Sequence, residues 1–285
     1  MVKRPDKVHF MCKGFESDKH INVVEDFFQI LTNTDESYLP KKISISETKR
    51  TPFSIEEARN LWVKSKEELG FNSIELYNPK YDGSINWGPK NSNDISFWIK
   101  TDFITAKNGT QKFLELAKKL FLWSNSVYGF ACHISKLGGL PGPGLTYETC
   151  LGDIRWMTLF GPPYVKMFGR EVIETAPCKV EEFAENCFML LTSDEPVEIT
   201  PELLEIQEKV KIHLGEDAFA RKKPRNGILT MDDLIAGKNI TSTEGYRSPD
   251  LSEYVINPSR NNNEGLIAMV NEDDTIITYE SKSEK

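Results

Sequence analysis

Residues 127–134 constrain the fold more than any other part of this sequence. They read VYGFACHI and include no lysine, arginine, aspartate or glutamate. A strand that is apolar on both of its faces must be covered on both, as strands in the interior of a sheet are. We therefore predict a strand near the centre of a sheet at this position.

Helix and strand signals repeat along the chain on either side of this strand. Strands are predicted at 8–15, 42–46, 73–77, 84–87, 95–104, 153–160 and within 183–192, and helices at 22–31, 54–70, 108–123, 164–168 and 201–214. The order predicts an α+β fold with mixed or antiparallel sheets and packed helices. Two stretches share a β-α-β rhythm, which favours two ferredoxin-like halves at 1–90 and 91–221.

The composition changes after the body at residues 1–221. A basic patch beside a proline, RKKPR at 221–225, opens an extension at 222–285. Two apolar segments near 264–280 flank a polar turn and predict a C-terminal hairpin. Because a lone hairpin is marginally stable in water, we expect it to dock on the body or on a partner.

Charge narrows the classes of partner. The formal net charge is −8 and the pI is about 5.3, which disfavours the binding of nucleic-acid phosphates and suits a basic protein. The N-terminus lacks an apolar signal core, and the sequence has no run of about 18 apolar residues. We expect a cytoplasmic protein that uses neither a membrane nor nucleic acid.

The sequence lacks the usual metal and cofactor motifs. The five cysteines contain no CxxC pair, and the four histidines are scattered. We expect reduced, mostly buried thiols, with Cys150 in a loop-like and exposed setting. Prolines in the glycine-rich loop 138–144 remove the backbone N–H donors that a phosphate needs. We predict neither a metal nor a cofactor.

Polar and aromatic residues concentrate between residues 147 and 170. The candidates for binding are Glu148, Asp153, Arg155, Trp156, Tyr164 and Arg170. On a strand, Asp153 and Arg155 share one face because they are two residues apart. One interpretation is a binding or catalytic face. The other is a solvated strand with a surface ion pair and with Trp156 in the core.

The same segment carries a resemblance. The strings DIRW, FGPPYV and FGR, together with Ala176 and Pro177, are similar to bacterial immunity proteins of polymorphic-toxin and type VI secretion systems over about residues 95–220. The resemblance implies a cytosolic α+β protein that protects its cell by binding a toxin. In FGPPY, we expect Gly161 to permit an unusual backbone and the prolines to end a strand and start a helix.

Three functional hypotheses follow. The first is a non-catalytic, protein-binding protein of the immunity type, with a basic toxin domain as its partner. The second is an enzyme with a dispersed acid/base site formed by Glu148, Asp153, Arg155 and His133, which would have to converge in one pocket. The third is an assembly component that donates its C-terminal hairpin to a neighbour.

Overall fold

A computed structural model describes residues 6–15, 22–46, 49–87, 92–136, 150–220, 246–252, 267–270 and 276–279. The strands are β1 (Lys7–Phe15), β2 (Lys42–Ser44), β3 (Thr51–Pro52), β4 (Asn72–Asn78), β5 (Tyr81–Trp87), β6 (Ser92–Lys100), β7 (Ser126–His133), β8 (Met157–Phe160), β9 (Lys179–Ala184), β10 (Cys187–Leu191), β11 (Ile267–Val270) and β12 (Ile276–Tyr279). The helices are α1 (Val23–Thr34), α2 (Ile55–Leu69), α3 (Thr101–Ile104), α4 (Gly109–Trp123), α5 (Pro162–Phe168), α6 (Arg170–Glu174) and α7 (Pro201–Leu214).

One open sheet organises the described residues. Its ten strands lie in the order β3-β2-β4-β5-β6-β1-β7-β8-β10-β9, and neighbouring strands are antiparallel. The predicted α+β class is confirmed. Because β1 pairs with both β6 and β7, the first 90 residues and those that follow share this sheet. They do not build two separate ferredoxin-like sheets.

The first hydrophobic core lies between one side of the sheet and helices α1, α2 and α4. Phe10 of β1, Phe97 of β6 and Phe27 of α1 each have no exposed surface. Their rings pack together with Phe113 of α4, whose centroid lies 5.6 Å from that of Phe10. Alternate residues of the strands thus anchor three helices to one side of the sheet.

The second hydrophobic core lies on the other side, over β7, β8 and β10. There α5, α6 and α7 cover Phe160 and Phe188, and the segment 246–252 adds Leu251. Strand β7 has side chains in both cores, and all eight of its residues are buried. The central position predicted for residues 127–134 is confirmed.

Several local signals act as the sequence predicted. The backbone N–H of Glu57 donates to the Ser54 hydroxyl at the start of α2, and Gly70 ends that helix with φ +78°. Helix α5 begins at Pro162 and ends at Gly169. These residues fix helix boundaries through interactions within a few positions, so tertiary contacts do not override them.

Three predicted elements were wrong. The strand predicted at 95–104 ends at Lys100, and Thr101–Ile104 forms helix α3. The strand predicted at 153–160 begins only at Met157. Before it, a side chain replaces a strand partner as hydrogen-bond acceptor, because the Arg155 N–H donates to the Thr158 hydroxyl at 3.2 Å. The strand predicted at 84–87 begins earlier, at Tyr81, so Asp82 and Gly83 lie within β5. A Cβ at Gly83 would approach the Phe97 ring to 2.8 Å, so this glycine serves packing.

Part of the C-terminal extension packs on the body. Arg247 donates hydrogen bonds to the Leu214 carbonyl and to Asp217, and its guanidinium lies 5.2 Å from the Phe168 ring centroid. Farther along, β11 and β12 pair antiparallel, with Val270 opposite Ile276, which confirms the predicted hairpin. None of the described helices combines the length and apolarity that crossing a bilayer requires.

Gly161 links β8 to α5, but its backbone is ordinary: φ is −93°, in the extended region. The expectation of an unusual conformation was wrong. A Cβ at this position would lie 2.9 Å from the Ser126 carbonyl oxygen and 3.1 Å from the Val127 Cα, both on β7. Close approach between two backbones is therefore the physical reason for a glycine at this position.

Gly161→Ala is expected to lower the free energy of unfolding by about 1–3 kcal/mol, because backbone atoms must shift to admit the methyl group. Chemical denaturation measures this change. Pro162→Ala is the matched control, since Pro162 is exposed beside it and its loss is expected to cost less than about 1 kcal/mol. Equal stability of the two variants would contradict the packing role of Gly161.

Candidate functional site

The two aromatic candidates of the 147–170 cluster lie in the cores. Trp156 is 2% exposed, stacks on Phe113 at 5.9 Å, and donates its indole N–H to the Ser193 carbonyl. Tyr164 has no exposed surface and stacks on Phe160 at 5.4 Å. Neither ring reaches the molecular surface, so a partner cannot contact either of them directly. Both can affect binding only by stabilising the fold.

Arg155 is the candidate with the most unusual environment. It is 3% exposed, and its guanidinium lies 5.7 Å from the ring centroid of Phe130 in the second core. Burial lowers the pKa of His9 and raises that of the Tyr128 hydroxyl, and the positive charge of Arg155 lowers both. Asp153 is half-buried nearby in sequence, and its carboxylate accepts from the Ile154 N–H at 3.0 Å.

The structure separates His133 from Arg155. His133 pairs with Val8, whose side chain belongs to the first core, whereas Arg155 lies against Phe130 in the second core. Phe130 and His133 are three residues apart on β7 and point to opposite sides of the sheet. The proposed acid/base site needed both in one pocket, and this geometry contradicts it. Glu148 and the loop 138–144 lie outside the described residues.

Arg170 lies on the surface in a network of ion pairs. It bonds both carboxylate oxygens of Glu182 on β9 and one of Glu174 at 2.8 Å, and it lies 5.3 Å from the Phe188 ring centroid. These pairs tie α6 to the edge of the sheet. The 147–170 candidates are therefore distributed between the two cores and this surface. Their role in binding stays a prediction.

A different surface emerges from the sheet itself. Over β4, β5, β6 and β1, the described side chains that point away from the first core belong to neither core, except Met11, which packs against the second. This surface, which we call the open face, includes Glu75, Tyr77, Asp82, Ser84, Asn86, Asp94, Ser96, Trp98, Lys7, His9 and Lys13. All but His9 are half-buried or exposed. Antiparallel sheets commonly leave one face in contact with water.

A stacked pair lies on the open face where it meets the second core. Trp98 of β6 lies directly opposite His9 of β1, with ring centroids 4.1 Å apart and planes 13° apart. The His9 Nε2 shares a hydrogen bond of 3.1 Å with the Ser96 hydroxyl, and its Nδ1 is buried without a partner among the described residues. Burial, and then the charge of Arg155, lower the pKa of His9 to about 4.

Cross-strand bonds connect the polar side chains of the open face. Lys13 pairs with Asp94 at 2.9 Å, and Asp94 also accepts from the Asn86 amide at 2.8 Å. Asn86 in turn accepts from the Ser73 hydroxyl, and Lys7 pairs with Asp82 at 2.8 Å. Two of the three carboxylates of the open face are thus paired with lysines, and these side chains are held in place before any partner arrives.

A groove opens at the end of the sheet where β6 and β7 finish. It measures about 580 Å³, and Asp6, Thr101, His133, Ser135, Glu195 and Glu198 lie in its wall. His133 bonds Asp6 through Nε2 at 2.9 Å and the Ser135 hydroxyl through Nδ1 at 2.8 Å. The volume is that of a ligand pocket, but its carboxylates outnumber its cationic groups, since the described wall includes no lysine or arginine.

Thiol and metal chemistry find little support in the described residues. All five cysteines are free thiols, and Cys150 is 1% exposed, so the expected exposure of this thiol was wrong. Burial raises the pKa of Cys178 and of Cys187 to about 11, which makes both poor nucleophiles. Within the described ranges, no three His, Cys, Asp or Glu side chains converge as metal ligands do.

Sequence reasoning reached part of the open face. Alternation along the strand predicts Phe97 and Ile99 on one side of β6 and Trp98 on the other, and the structure has them so. It could not identify His9 as the partner of Trp98, because the two residues are far apart in sequence. The pairing of β1 with β6 brings them together, and no local pattern encodes it.

Acidification is expected to destabilise the protein through His9. Its folded pKa lies below its unfolded value of 6.5, so between pH 6.5 and pH 4 the unfolded state binds a proton that the folded state excludes. Stability is retained above pH 6.5 and falls by about 1.4 kcal/mol per pH unit below it, until the folded pKa is reached. Between pH 7 and pH 5, the free energy of unfolding should fall by about 2 kcal/mol more in the wild type than in His9→Phe. A His9 pKa near 6.5, measured by NMR titration of the folded protein, would contradict this expectation.

Comparison with known proteins identifies a solved structure with a similar fold. No family model matches the sequence, and no curated protein matches it. The structure is similar to the Pseudomonas aeruginosa T6SS protein PA0821, with a TM-score of 0.55 and 9% sequence identity. The match covers 79% of this chain and 78% of that one. At this identity the likeness concerns the fold, and it extends over most of both proteins.

Proposed function

We propose that this chain is a non-catalytic protein-binding protein of the immunity type. It neutralises a toxin in the cytoplasm by covering part of the toxin with the open face. The observation that carries the proposal is the pre-organised open face around Trp98 and His9. The fold likeness to a T6SS protein is compatible with a role linked to such a secretion system.

The chemistry of the open face suits protein recognition. Interfaces are enriched in tryptophan and tyrosine and surround them with polar groups that exclude water. In this protein Trp98 is half-buried on the open face, and Tyr77 lies in the same cross-strand row, beyond Asp82. Stacking on His9 fixes the indole, so little side-chain entropy remains to be lost on binding.

Ion pairing on the open face favours a specific partner over non-specific association. Lys7, Lys13, Asp82 and Asp94 neutralise one another within the face. A partner must therefore match the positions of these charges, since charge mismatch at an interface is costly. This requirement suits an inhibitor that recognises one toxin.

The other two hypotheses have less support. The acid/base enzyme required His133 and Arg155 together, and they lie on opposite sides of the sheet. The assembly component uses the hairpin β11–β12, which forms a two-stranded sheet of its own among the described residues. Donation of that hairpin to a neighbour stays a prediction.

Ser84→Arg tests the open face. Ser84 is half-buried in the middle of β5, between Glu75 and Ser96, so a guanidinium there would project from the face and obstruct a partner. We expect binding to the toxin encoded beside this gene to weaken at least about tenfold, which is about 1.4 kcal/mol, measured by calorimetry. Cells that produce both proteins should lose protection.

Asn60→Arg is the matched control, because it adds the same charge at an exposed position of α2, where the helix faces away from the sheet core. It should bind and protect as the wild type does. Wild-type affinity and protection in Ser84→Arg would show that the open face is not the binding surface. Failure of the wild type to bind the toxin would remove the immunity function itself.

A further inference from the structure

Residues 194–208, a segment that we call the acidic arm, contain six carboxylates. It joins β10 to α7 and includes most of that helix, and it contains no lysine or arginine. The acidic residues are Asp194, Glu195, Glu198, Glu202, Glu205 and Glu208. In the described part of the chain, lysines at the end of α7 pair with Glu205 and Glu208 and with no other residue of the arm. The N-terminal part of the arm therefore keeps its negative charge.

The acidic arm forms one wall of the groove at the end of β6 and β7. Glu195 and Glu198 are exposed at its rim, and Asp6 faces them from the start of β1. Thr101 also lines the groove. The groove thus presents negative charge along a concave wall, and a cationic donor would complement it.

Exposed apolar side chains accompany the carboxylates. Val197 is 42% exposed at the groove, and Leu204 and Ile206 on α7 are 45% and 36% exposed. The same helix buries Leu203 and Val210 in the body, so these apolar residues are additional to those that hold it in place. A surface that mixes carboxylates with accessible apolar groups fits a segment that is both basic and apolar.

We infer that the acidic arm and its groove bind a basic, partly apolar segment of the partner protein, with an arginine or lysine side chain in the groove. The partner's identity as a toxin rests on the proposed function, whereas the recognition chemistry rests on the charge and shape of this surface. The site is separate from the open face, so one partner can engage both. Charge attraction at such a site raises the rate of association and helps to select the partner.

The test uses a dye-labelled peptide of alternating arginine and leucine, and fluorescence anisotropy with the full-length protein. A peptide of alternating glutamate and leucine is the ligand control. We expect the basic peptide alone to bind, and binding to weaken with salt because the contact is ionic. The double variant Glu195→Lys/Glu198→Lys should bind it at least tenfold more weakly, that factor corresponding to about 1.4 kcal/mol.

Glu67→Lys/Glu115→Lys is the matched variant. It changes the net charge equally, at exposed positions of α2 and α4 that, like Glu195 and Glu198, form no ion pair with another described residue. It should retain wild-type affinity. Equal losses in the two double variants, or equal binding of both peptides, would overturn the inference. Because the peptide replaces the toxin, this result is independent of whether a toxin binds the open face.

Discussion

Pairing of β1 with β6 on one edge and with β7 on the other holds this molecule together. Residues near the N-terminus thereby join strands that follow only much later in the chain. Val8, Phe10 and Cys12 have no exposed surface on one side, and His9 is buried beneath Trp98 on the other. Both the first core and the open face depend on this one strand.

Helices cover the two sides of the sheet unequally, and this asymmetry underlies the proposed function. One side is packed by α1, α2 and α4, whereas among the described helices α5, α6 and α7 cover the other side over β7, β8, β10 and β9. The rest of that side is the open face, where ion pairs and hydrogen bonds replace helix packing. Burying polar groups without partners is costly, so a complementary protein surface is the cover that such a face fits best.

Local chemistry made much of the fold predictable. The Ser54 cap, the Pro162 start of α5 and the apolar run at β7 each act through near neighbours, and all appear where the sequence placed them. Strand order, by contrast, depends on pairing between distant segments. Edge strand β9 was missed because its charged residues, Lys179, Glu181 and Glu182, hide the alternation, as charges on exposed edges do.

The candidate site was less predictable for a related reason. Clustering in sequence drew attention to Trp156 and Tyr164, but the folded chain uses both rings in its cores. The open face draws its residues from four strands across the first hundred positions, and only the register joins them. A surface of this kind has no motif to recognise.

Side-chain footprinting of the protein with its toxin tests the central claim most directly. Oxidation by hydroxyl radicals reports the solvent exposure of each aromatic and aliphatic side chain. Complex formation should protect Trp98 and Tyr77 and leave Val63 and Leu122, which are exposed on α2 and α4, unchanged. Protection of Val63 or Leu122 with Trp98 unaffected would show that the partner binds the helical side, which would contradict recognition through the open face.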